Sequence, residues 1–539
     1  MSGEQKHKLK VADFFCGAGG FSEGFRQAGF EICFAIDKWT PAYNTYKSNL
    51  AHTKVIQDDV IWISNLPDKE FEDTVPDTEV IIGSPPCVAF SSSNKSGNGD
   101  KKLGIELLEA YLRIIARKKF KKESILKYWV LENVPNIEEH IKDVYTEKDL
   151  NLPGPIRLYP KKNSDVYNAK HFGAPTNRKR FICGEFPKPK KTKKEDDALT
   201  LGTVLDSLRP DEKGFVRDCN YRGFKMKYDD VSDHQYQYKL EEFEWKTAKR
   251  LKEDKGYMGK MSFPERLDKP SRTVMATMSS SSRESMILGV EGKKDEYRLP
   301  TVREVASMMS FPIDYRFYGN TKGTKYALVG NAVPPKFSLA IAKAILKKEG
   351  LKAPRRYTPI QYSNEFAFTN LNGKKIEEKK EKRKKSCAKF KYHIPYMIIS
   401  SYRVELTNYE SIFEMQIINW DAEIHYSQGK ENAKKFMPNP IIEHLTSKHK
   451  TNVKKFIEKN TINTSRSEFQ DRFCMTSEER GNLMGPYELL DNIKGFIEKE
   501  FTNDELSESV FFEEINRKVP NGILVGYYIL SEILKGFDD

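Results

Sequence analysis

Three kinds of side chain in the N-terminal part of the sequence could take part in covalent chemistry. Cys87 follows a proline pair in "IIGSPPCVAFSSSNKSGNGD", where an apolar run passes into a loop rich in Ser, Asn and Gly. Glu132 ends another apolar run, "YWVLENVPN", and Arg178 and Arg180 lie in "TNRKRF". A thiolate is a nucleophile, a carboxylic acid can transfer a proton, and a guanidinium binds anions. Singly, however, a loop cysteine is usually inert, and the other residues are usually caps or surface charges.

A regular alternation of strands and helices would position these residues. Apolar runs typical of buried strands alternate with patterns typical of helices. The predicted strands are "KVADFF", "EICFAID", "KVIQDDV", "EVIIGSPPC" and "YWVLENVPN". This order predicts an α/β fold with a doubly wound, mostly parallel, Rossmann-like sheet. Ligands of such sheets lie at the carboxyl ends of the strands, where Cys87 and Glu132 fall.

A glycine-rich turn and two acids indicate a cofactor that contains a nucleoside. Gly17, Gly19 and Gly20 lie in "FFCGAGG", between a predicted strand and a helix, where the backbone can approach a ligand closely. Asp37 ends the second predicted strand and Asp59 the third. Each acid alone is more often a cap or turn residue. Together, these residues in consecutive turns predict a cofactor across the sheet edge, although the pattern is not the GxGxxG of dinucleotide sites.

The composition favours an anionic partner. The chain of 539 residues has a formal net charge of +13, which favours nucleic acid, although a lysine-rich surface alone would give the same balance. The seven cysteines include no CxxC pair, so we expect a reducing compartment, no disulfide framework and no metal site. The polar N-terminus is not a signal peptide, and no apolar run approaches the roughly 20 residues that span a bilayer. We therefore expect a cytoplasmic protein.

A set of motifs connects these features to a known family. The motifs are "DFFCGAGGFSEGF", "GSPPCVAFS", "LENVPN", "AKHFGAPTNRKRFICGEF", "RLPTVREVASMMSFP" and "GNAVPP". Each alone is a weak signal, but their order and spacing are specific. Through them, residues 10–346 resemble the cytosine-5 DNA methyltransferases, enzymes typical of bacterial restriction–modification systems.

The resemblance implies transfer of a methyl group from S-adenosylmethionine to carbon 5 of cytosine. The Cys87 thiolate would add to carbon 6 of the base, which makes carbon 5 nucleophilic. Glu132 would protonate nitrogen 3, while Arg178 and Arg180 would position the base and the loop. A cytosine in double-stranded DNA would have to be flipped out of the helix first.

The resemblance also implies how the cofactor and partners bind. Phe15 would stack on the adenine of S-adenosylmethionine, and the glycine turn would follow its amino-acid tail. Asp37 would bind the ribose and Asp59 the adenine amino group, while Asn331 would close the site and the next helix would pack near the N-terminus. The implied enzyme is a cytoplasmic monomer acting on double-stranded DNA. The Lys- and Asn-rich composition indicates an AT-rich bacterial or phage genome and hence a restriction–modification setting, with a separate restriction endonuclease.

Breaks in composition divide the chain into five predicted regions. These are a catalytic and cofactor-binding region 1–186, a short target-recognition region 187–267, closing motifs 268–350, a charged linker 351–386 and a C-terminal α+β domain 387–539. We hypothesise that the last domain helps to bind DNA or to choose the site. A fused nuclease is an alternative, although the acids and Lys430 of "NWDAEIHYSQGK" are wrongly spaced for one.

Four positions depart from the pattern usual in the family. Ser84 and Val88 replace Gly and Gln around the proline–cysteine pair, Thr176 replaces Gln, and Asp37 replaces the Glu of many members. None removes a group that we consider essential, but together they would be consistent with reduced activity.

Other functions use parts of the same pattern. A tRNA cytosine-5 methyltransferase has identical chemistry but lacks a large recognition domain and a terminal domain. Enzymes that methylate amino groups share the sheet but have an aromatic residue where Cys87 stands. A catalytically impaired DNA-binding homologue would not need both Cys87 and Glu132.

Overall fold

The computed structural model describes residues 8–86, 90, 101–194, 197–254, 261–374, 379–395, 397–426 and 434–538. The chain forms two units, each assembled from two separate segments. The first unit consists of Met1–Leu240 and Pro264–Ile376, and the second of Glu241–Phe263 and Glu377–Asp539. Cys87 and Val88 lie outside the described residues.

The first unit contains the strands and helices that the sequence pattern predicts in its N-terminal part. Its strands are β1 Lys10–Phe14, β2 Glu31–Ile36, β3 Lys54–Ile56, β4 Val80–Gly83, β5 Tyr128–Asn133, β6 Tyr145–Thr146, β7 Arg157–Leu158, β8 Asp165–Asn168, β9 Thr176–Asn177, β10 Lys179–Glu185, β11 Phe215–Arg217, β12 Lys225–Lys227, β13 Ser271–Arg272, β14 Leu288–Gly289 and β15 Tyr297–Arg298. The helices up to residue 253 are α1 Gly20–Ala28, α2 Thr40–Asn49, α3 Val60–Ser64, α4 Asp68–Thr74, α5 Lys101–Phe120, α6 Glu147–Leu150, α7 Leu201–Ser207 and α8 Glu242–Glu253, the last of which belongs to the second unit. Three further helices of the first unit are α9 Val302–Met308, α10 Lys322–Asn331 and α11 Pro335–Lys348.

A seven-stranded sheet organises the first unit. Its strand order is β3-β2-β1-β4-β5-β10-β8. Strands β1 to β5 pair in parallel, whereas β10 runs antiparallel to both β5 and β8. The central strands are apolar and buried on both faces, because helices cover each face of the sheet. The predicted doubly wound, mostly parallel fold is confirmed.

Helix α11 packs against α1, as the sequence predicts for the helix after "GNAVPP". Phe25 of α1 and Phe337 and Ile341 of α11 share one buried apolar cluster. The approach is close at Gly20, where a Cβ atom would lie 2.2 Å from the carbonyl oxygen of Val333. A glycine is therefore required at this position, and the last motif is held beside the first.

Part of the predicted linker 351–386 is bound to the first unit. The Tyr357 hydroxyl donates a 2.6 Å hydrogen bond to Asp314, and the backbone N–H of Ile360 donates to the same carboxylate at 3.0 Å. Further along, the N–H of Leu371 donates to Asp233, which also forms a buried ion pair with Lys325 at 2.7 Å. The boundary between the units follows this bound segment, at residues 376 and 377.

The second unit is an α+β domain, as predicted. Its strands are β16 Lys391–His393, β17 Tyr402–Thr407, β18 Asp421–Tyr426, β19 Lys434–Phe436, β20 Ser509–Phe512 and β21 Arg517–Pro520. With α8, its helices are α12 Ser447–Asn460, α13 Arg466–Cys474, α14 Ser477–Arg480, α15 Pro486–Glu500, α16 Asn503–Ser507 and α17 Asn521–Leu534. Strands β16 to β19 form an antiparallel sheet in sequence order. Apolar residues of β17 and β18 and the largely buried helix α17 belong to one core cluster.

Helix α8 comes from the predicted target-recognition region but belongs to the second unit. Arg250 of α8 forms a 2.6 Å ion pair with Asp491, and its guanidinium lies over the ring of Tyr487. Asp254, just after the helix, accepts a 2.7 Å hydrogen bond from the Tyr392 hydroxyl. The region 187–267 therefore contributes residues to both units. No helix in the described parts of the chain has the length and apolar composition needed to cross a membrane.

Candidate active site

The carboxyl ends of β4 and β5 are tied together where the proline pair begins. The side-chain amide of Asn133 donates a 3.0 Å hydrogen bond to the carbonyl oxygen of Pro85. The backbone N–H of Ser84 donates to the carbonyl oxygen of Phe14 at 3.2 Å, so the ends of β1 and β4 are joined as well. These bonds fix the chain entering the loop that carries Cys87.

Glu132 is held from both sides at this edge of the sheet. Its side chain is only 5% exposed, and the Ser84 hydroxyl donates a 2.6 Å hydrogen bond to its Oε2. The Nε atom of Arg180 lies 2.9 Å from its Oε1 in an ion pair. A buried carboxyl group fixed in this way has the defined orientation that proton transfer requires. Glu132 and Arg180, both predicted as site residues, are thus in direct contact.

Arg178 makes a different set of contacts. Its guanidinium donates hydrogen bonds of 3.0 Å to the carbonyl oxygen of Val274 and 3.2 Å to that of Ala332. The neighbouring Thr176 donates from its hydroxyl to the carbonyl oxygen of Arg272 at 3.0 Å. These bonds join the arginine motif to the segment "KPSRTVMAT" at residues 269–277 and to "GNAVPP" at residues 330–335. Arg178 is thus placed to hold the closing motifs together, while Arg180 contacts Glu132.

The glycine turn after β1 has an unusual backbone. Phe15 has a φ angle of 56°, which is uncommon for a residue with a side chain, and Gly17 and Gly19 have φ angles of 53° and 84°. A Cβ atom on Gly19 would lie 2.5 Å from the Tyr315 hydroxyl, whereas one on Gly17 would meet no atom within 4 Å. Gly19 is therefore needed for packing, and Gly17 faces free space that a ligand can enter.

Asp37 is brought to the same turn. Its carboxylate accepts 2.9 Å hydrogen bonds from the backbone N–H groups of Gly17 and Trp39. Burial raises the pKa of this carboxyl group. Open space at Gly17, a half-buried aromatic ring at Phe15 and a carboxylate at Asp37 together suit the S-adenosylmethionine that the sequence resemblance implies.

The two remaining predicted cofactor residues occupy turn and helix-end positions. Asp59 caps α3, accepting a 2.8 Å hydrogen bond from the N–H of Ile61, and pairs with Lys38 at 3.2 Å. Asn331 is the last residue of α10 and is exposed. Asp59 therefore has the cap role expected of an acid at a strand end, with one oxygen near a lysine.

The sequence interpretation did not identify several residues that support the candidate site. Asn133 follows Glu132 directly in "LENVPN", so its place in the motif was a usable signal. Trp39 is 37% exposed beside Asp37, and its aromatic ring offers apolar surface near the turn. Nothing in the sequence indicated that the Tyr315 hydroxyl donates a 2.6 Å hydrogen bond to the carbonyl oxygen of Ala18 within the glycine turn.

A buried polar chain lies beneath the glycine turn. The Ser22 hydroxyl donates a 2.6 Å hydrogen bond to Asp13, and the Tyr46 hydroxyl donates to Ser22 at 2.6 Å. Burial raises the pKa of Asp13 to about 8. The protonated carboxyl group therefore predominates at neutral pH, which avoids placing a charge beneath the cofactor turn.

Comparison with known proteins identifies the family. The model that describes the C-5 cytosine-specific DNA methylases matches residues 9–347. The chain is 28% identical to the type II methyltransferase M.MthTI of Methanothermobacter thermautotrophicus over 63% of its own length and 97% of the relative's. It is 29% identical to the type II methyltransferase M1.HphI of Haemophilus parahaemolyticus, over 63% of its length and 87% of the relative's.

A solved structure also aligns with part of the chain. The crystal structure of the Dnmt2 methyltransferase of S. pombe aligns with a TM-score of 0.42 at 18% identity, covering 64% of this chain and all of that one. The family match extends over more than half of the chain, from β1 to the end of α11. The chain therefore belongs to the C-5 cytosine-specific DNA methylase family and is a DNA (cytosine-5)-methyltransferase.

Proposed function

We propose that this enzyme methylates carbon 5 of a cytosine flipped out of a specific double-stranded DNA sequence, through a covalent adduct with Cys87. The observation that carries the proposal is the fixation of Glu132 by Ser84 and Arg180, beside the bonds that anchor Pro85. A proton donor and the entry to the nucleophile loop thereby lie at neighbouring strand ends, where parallel sheets bind their ligands.

The steps follow from the chemistry of these side chains. The Cys87 thiolate forms a bond to carbon 6, and the electron pair of the carbon 5–carbon 6 bond passes into the ring. Glu132 donates its proton to nitrogen 3, which neutralises the ring. S-adenosylmethionine, when bound, supplies a methyl group on a positively charged sulfur. After carbon 5 is methylated, a base removes the carbon 5 proton and Cys87 departs as the carbon 5–carbon 6 double bond is restored. Nitrogen 3 then returns its proton to Glu132, which gives neutral 5-methylcytosine.

Arg180 and Ser84 assist Glu132 in this scheme. When Glu132 has given up its proton, the guanidinium of Arg180, 2.9 Å away, stabilises the resulting carboxylate. The Ser84 hydroxyl keeps the other oxygen oriented. Arg178 acts on the closing segments rather than on the acid, through the carbonyl groups of Val274 and Ala332.

S-adenosylmethionine is assigned to the edge formed by β1, β2 and β3. Phe15 would stack on its adenine, and the backbone of the glycine turn would follow its amino-acid tail. Asp37 would hold the ribose and Asp59 the adenine amino group. The direct support is the hydrogen bond between Asp37 and the turn at Gly17, together with the open space there.

Asn331 is proposed to close this site from the end of α10. Gly330 beside it approaches the main chain at Met275 so closely that a Cβ atom would lie 2.4 Å from that carbonyl oxygen. The position of Asn331 is thereby fixed relative to "KPSRTVMAT".

We propose that the second unit takes part in choosing the DNA site. The recognition region 187–267 is short, and its segment from Glu241 to Phe263 is built into the second unit. Contacts such as the ion pair of Arg250 with Asp491 hold that segment there. The second unit carries almost equal numbers of acidic and basic side chains, so the net charge of +13, which supports binding of the whole chain to phosphates, comes from the first unit.

The biological setting is proposed from the relatives. Their names describe type II methyltransferases, so the enzyme would be the modification component of a restriction–modification system. It would act as a monomer in the cytoplasm, beside a separate restriction endonuclease that cleaves the same sequence.

Tritiated methyl transfer tests the proposal. The wild-type protein and the Cys87→Ser variant are incubated with labelled S-adenosylmethionine and either duplex DNA or tRNA. Label recovered in DNA as 5-methylcytosine, and absent with the variant, would support both the reaction and the nucleophile. Label in tRNA alone would contradict the DNA substrate. Transfer by Cys87→Ser at the wild-type rate would contradict the covalent route.

A further inference from the structure

Three ligand-type side chains meet on a buried polar face of the second unit. Glu405 lies on β17, and Glu423 and His425 lie on the neighbouring strand β18. All three are buried, with 2% to 5% of each residue exposed. Their carboxylate and imidazole atoms lie within 4.8 Å of one another. The arrangement has no counterpart in the methyltransferase motifs, which end before residue 348.

The pairing of the strands sets two buried carboxylates side by side. Glu405 and Glu423 stand directly opposite each other in the antiparallel register, on one face of the sheet. Two like charges in this position repel, and burial increases the repulsion because the local dielectric is low. A buried pair of carboxylates therefore needs positive charge between or beside its members.

The inner oxygen of each carboxylate points at one histidine nitrogen. Oε2 of Glu423 lies 2.7 Å from Nε2 of His425, and Oε2 of Glu405 lies 3.0 Å from the same atom. That nitrogen carries at most one proton, which can point at only one of them. Among the described residues, Oε2 of Glu405 accepts no hydrogen bond, although Lys391 lies 3.3 Å away as an ion-pair partner.

Basic side chains hold the outer oxygens. Nε of Arg403 contacts Oε1 of Glu405 at 2.5 Å, and Nζ of Lys435 contacts Oε1 of Glu423. In spite of burial, the bond from Arg403 keeps the pKa of Glu405 below its usual value. The outer contacts thus orient both carboxylates, as such contacts commonly do for ligands in metal sites.

From this geometry we propose that Glu405, Glu423 and His425 bind an octahedral divalent cation of the first transition row, such as Mn²⁺. Adjacent ligands about 2.1 Å from an octahedral cation lie about 3.0 Å apart, close to the separations from Nε2 of His425. Two carboxylates and one imidazole form a donor set suited to such ions. The cation would replace the shared proton, and Lys391, which is 37% exposed, would turn toward solvent.

Titration of the full-length protein with Mn²⁺ tests the site. After dialysis against a chelator, free Mn²⁺ is followed by electron paramagnetic resonance in the wild type, in His425→Gln and in the matched control Glu410→Gln. Glu410 also contacts Lys435, but its side chain is 66% exposed and outside the cluster. We expect one bound ion in the wild type and in the control, with affinity lowered at least about tenfold in His425→Gln.

Thermal unfolding provides a second measurement. A hundredfold excess of Mn²⁺ over its Kd should raise the Tm of the wild type and of Glu410→Gln by about 5 °C, and that of His425→Gln much less. Absence of bound Mn²⁺ in the wild type would overturn the proposal, even if His425→Gln fails to fold. Equal affinity in His425→Gln and wild type would overturn it as well, leaving the cluster as an ion-pair network.

Discussion

The Ser84 hydroxyl and the Glu132 carboxylate are joined by a 2.6 Å hydrogen bond across the carboxyl ends of β4 and β5. Ser84 stands where the family usually has glycine, so this bond gives the chain an extra contact to Glu132, the proposed proton donor. The departure therefore adds a group to the site and removes none.

Replacing Ser84 with Ala should lower kcat, because Glu132 would lose one of its two orienting partners. A hydrogen bond to a charged group contributes about 2 kcal/mol, which corresponds to roughly a thirtyfold loss in rate. Steady-state methylation of duplex DNA measures the effect, with Asp68→Asn on α4, whose side chain is 93% exposed, as a surface control. An unchanged kcat would mean that Arg180 alone suffices to orient the acid.

Replacing Arg178 with Ala should destabilise the first unit, because two buried carbonyl groups would lose their donor. The expected loss in free energy of unfolding is about 3 kcal/mol. Urea denaturation measures it, and Arg209→Ala, whose side chain is 56% exposed, should cost less than about 0.5 kcal/mol. Equal stability of the two variants would contradict the bridging role.

Replacing Asp13 with Asn should change how stability depends on pH. The folded protein raises the pKa of Asp13 from 3.8 to about 8, so it holds a proton that the unfolded chain releases. The contribution of this proton to the free energy of unfolding is greatest below about pH 4 and is lost progressively as the pH rises toward 8. The Tm of the variant relative to wild type should therefore increase between pH 5 and pH 8. A constant difference would show that Asp13 does not titrate in this range.

Replacing Gly17 and replacing Gly19 with Ala should have different effects on stability and on cofactor affinity. Gly19→Ala places a Cβ atom 2.5 Å from the Tyr315 hydroxyl and should lower the free energy of unfolding by about 2 kcal/mol. Gly17→Ala should cost about 1 kcal/mol for its left-handed backbone, while reducing affinity for S-adenosylmethionine about tenfold or more. Urea denaturation and calorimetric titration separate the two effects. Unchanged affinity in Gly17→Ala would contradict ligand approach at that position.

The local sequence pattern was sufficient to predict the parallel sheet and the edge of the sheet at which the candidate site lies. Continuous apolar runs such as that of β4 require a sheet covered on both faces, and the ends of these runs mark the ligand edge. The ordered motifs predicted one site for Glu132 and Arg180, and their side chains lie 2.9 Å apart. The roles of Ser84 and Arg178 depend on partners distant in sequence, which no local pattern specifies.

In the second unit, too, important contacts depend on partners distant in sequence. "NWDAEIHYSQGK" has a poor spacing for a nuclease when read along one strand. Its Glu423 and His425 acquire a third partner, Glu405, only through the register of β17 and β18. Likewise, the local sequence of α8 does not predict that this helix packs with a domain whose main segment begins more than a hundred residues later.

The inclusion of Glu241–Phe263 in the second unit makes that unit a discontinuous domain. The polypeptide passes between the units at three points, after Leu240, after Phe263 and after Ile376. A deletion beginning in the charged stretch after Gly373 would therefore leave α8 behind without the partners of Arg250 and Asp254. The C-terminal region is thus not a detachable tail, and its separate production would require grafting the inserted segment onto it.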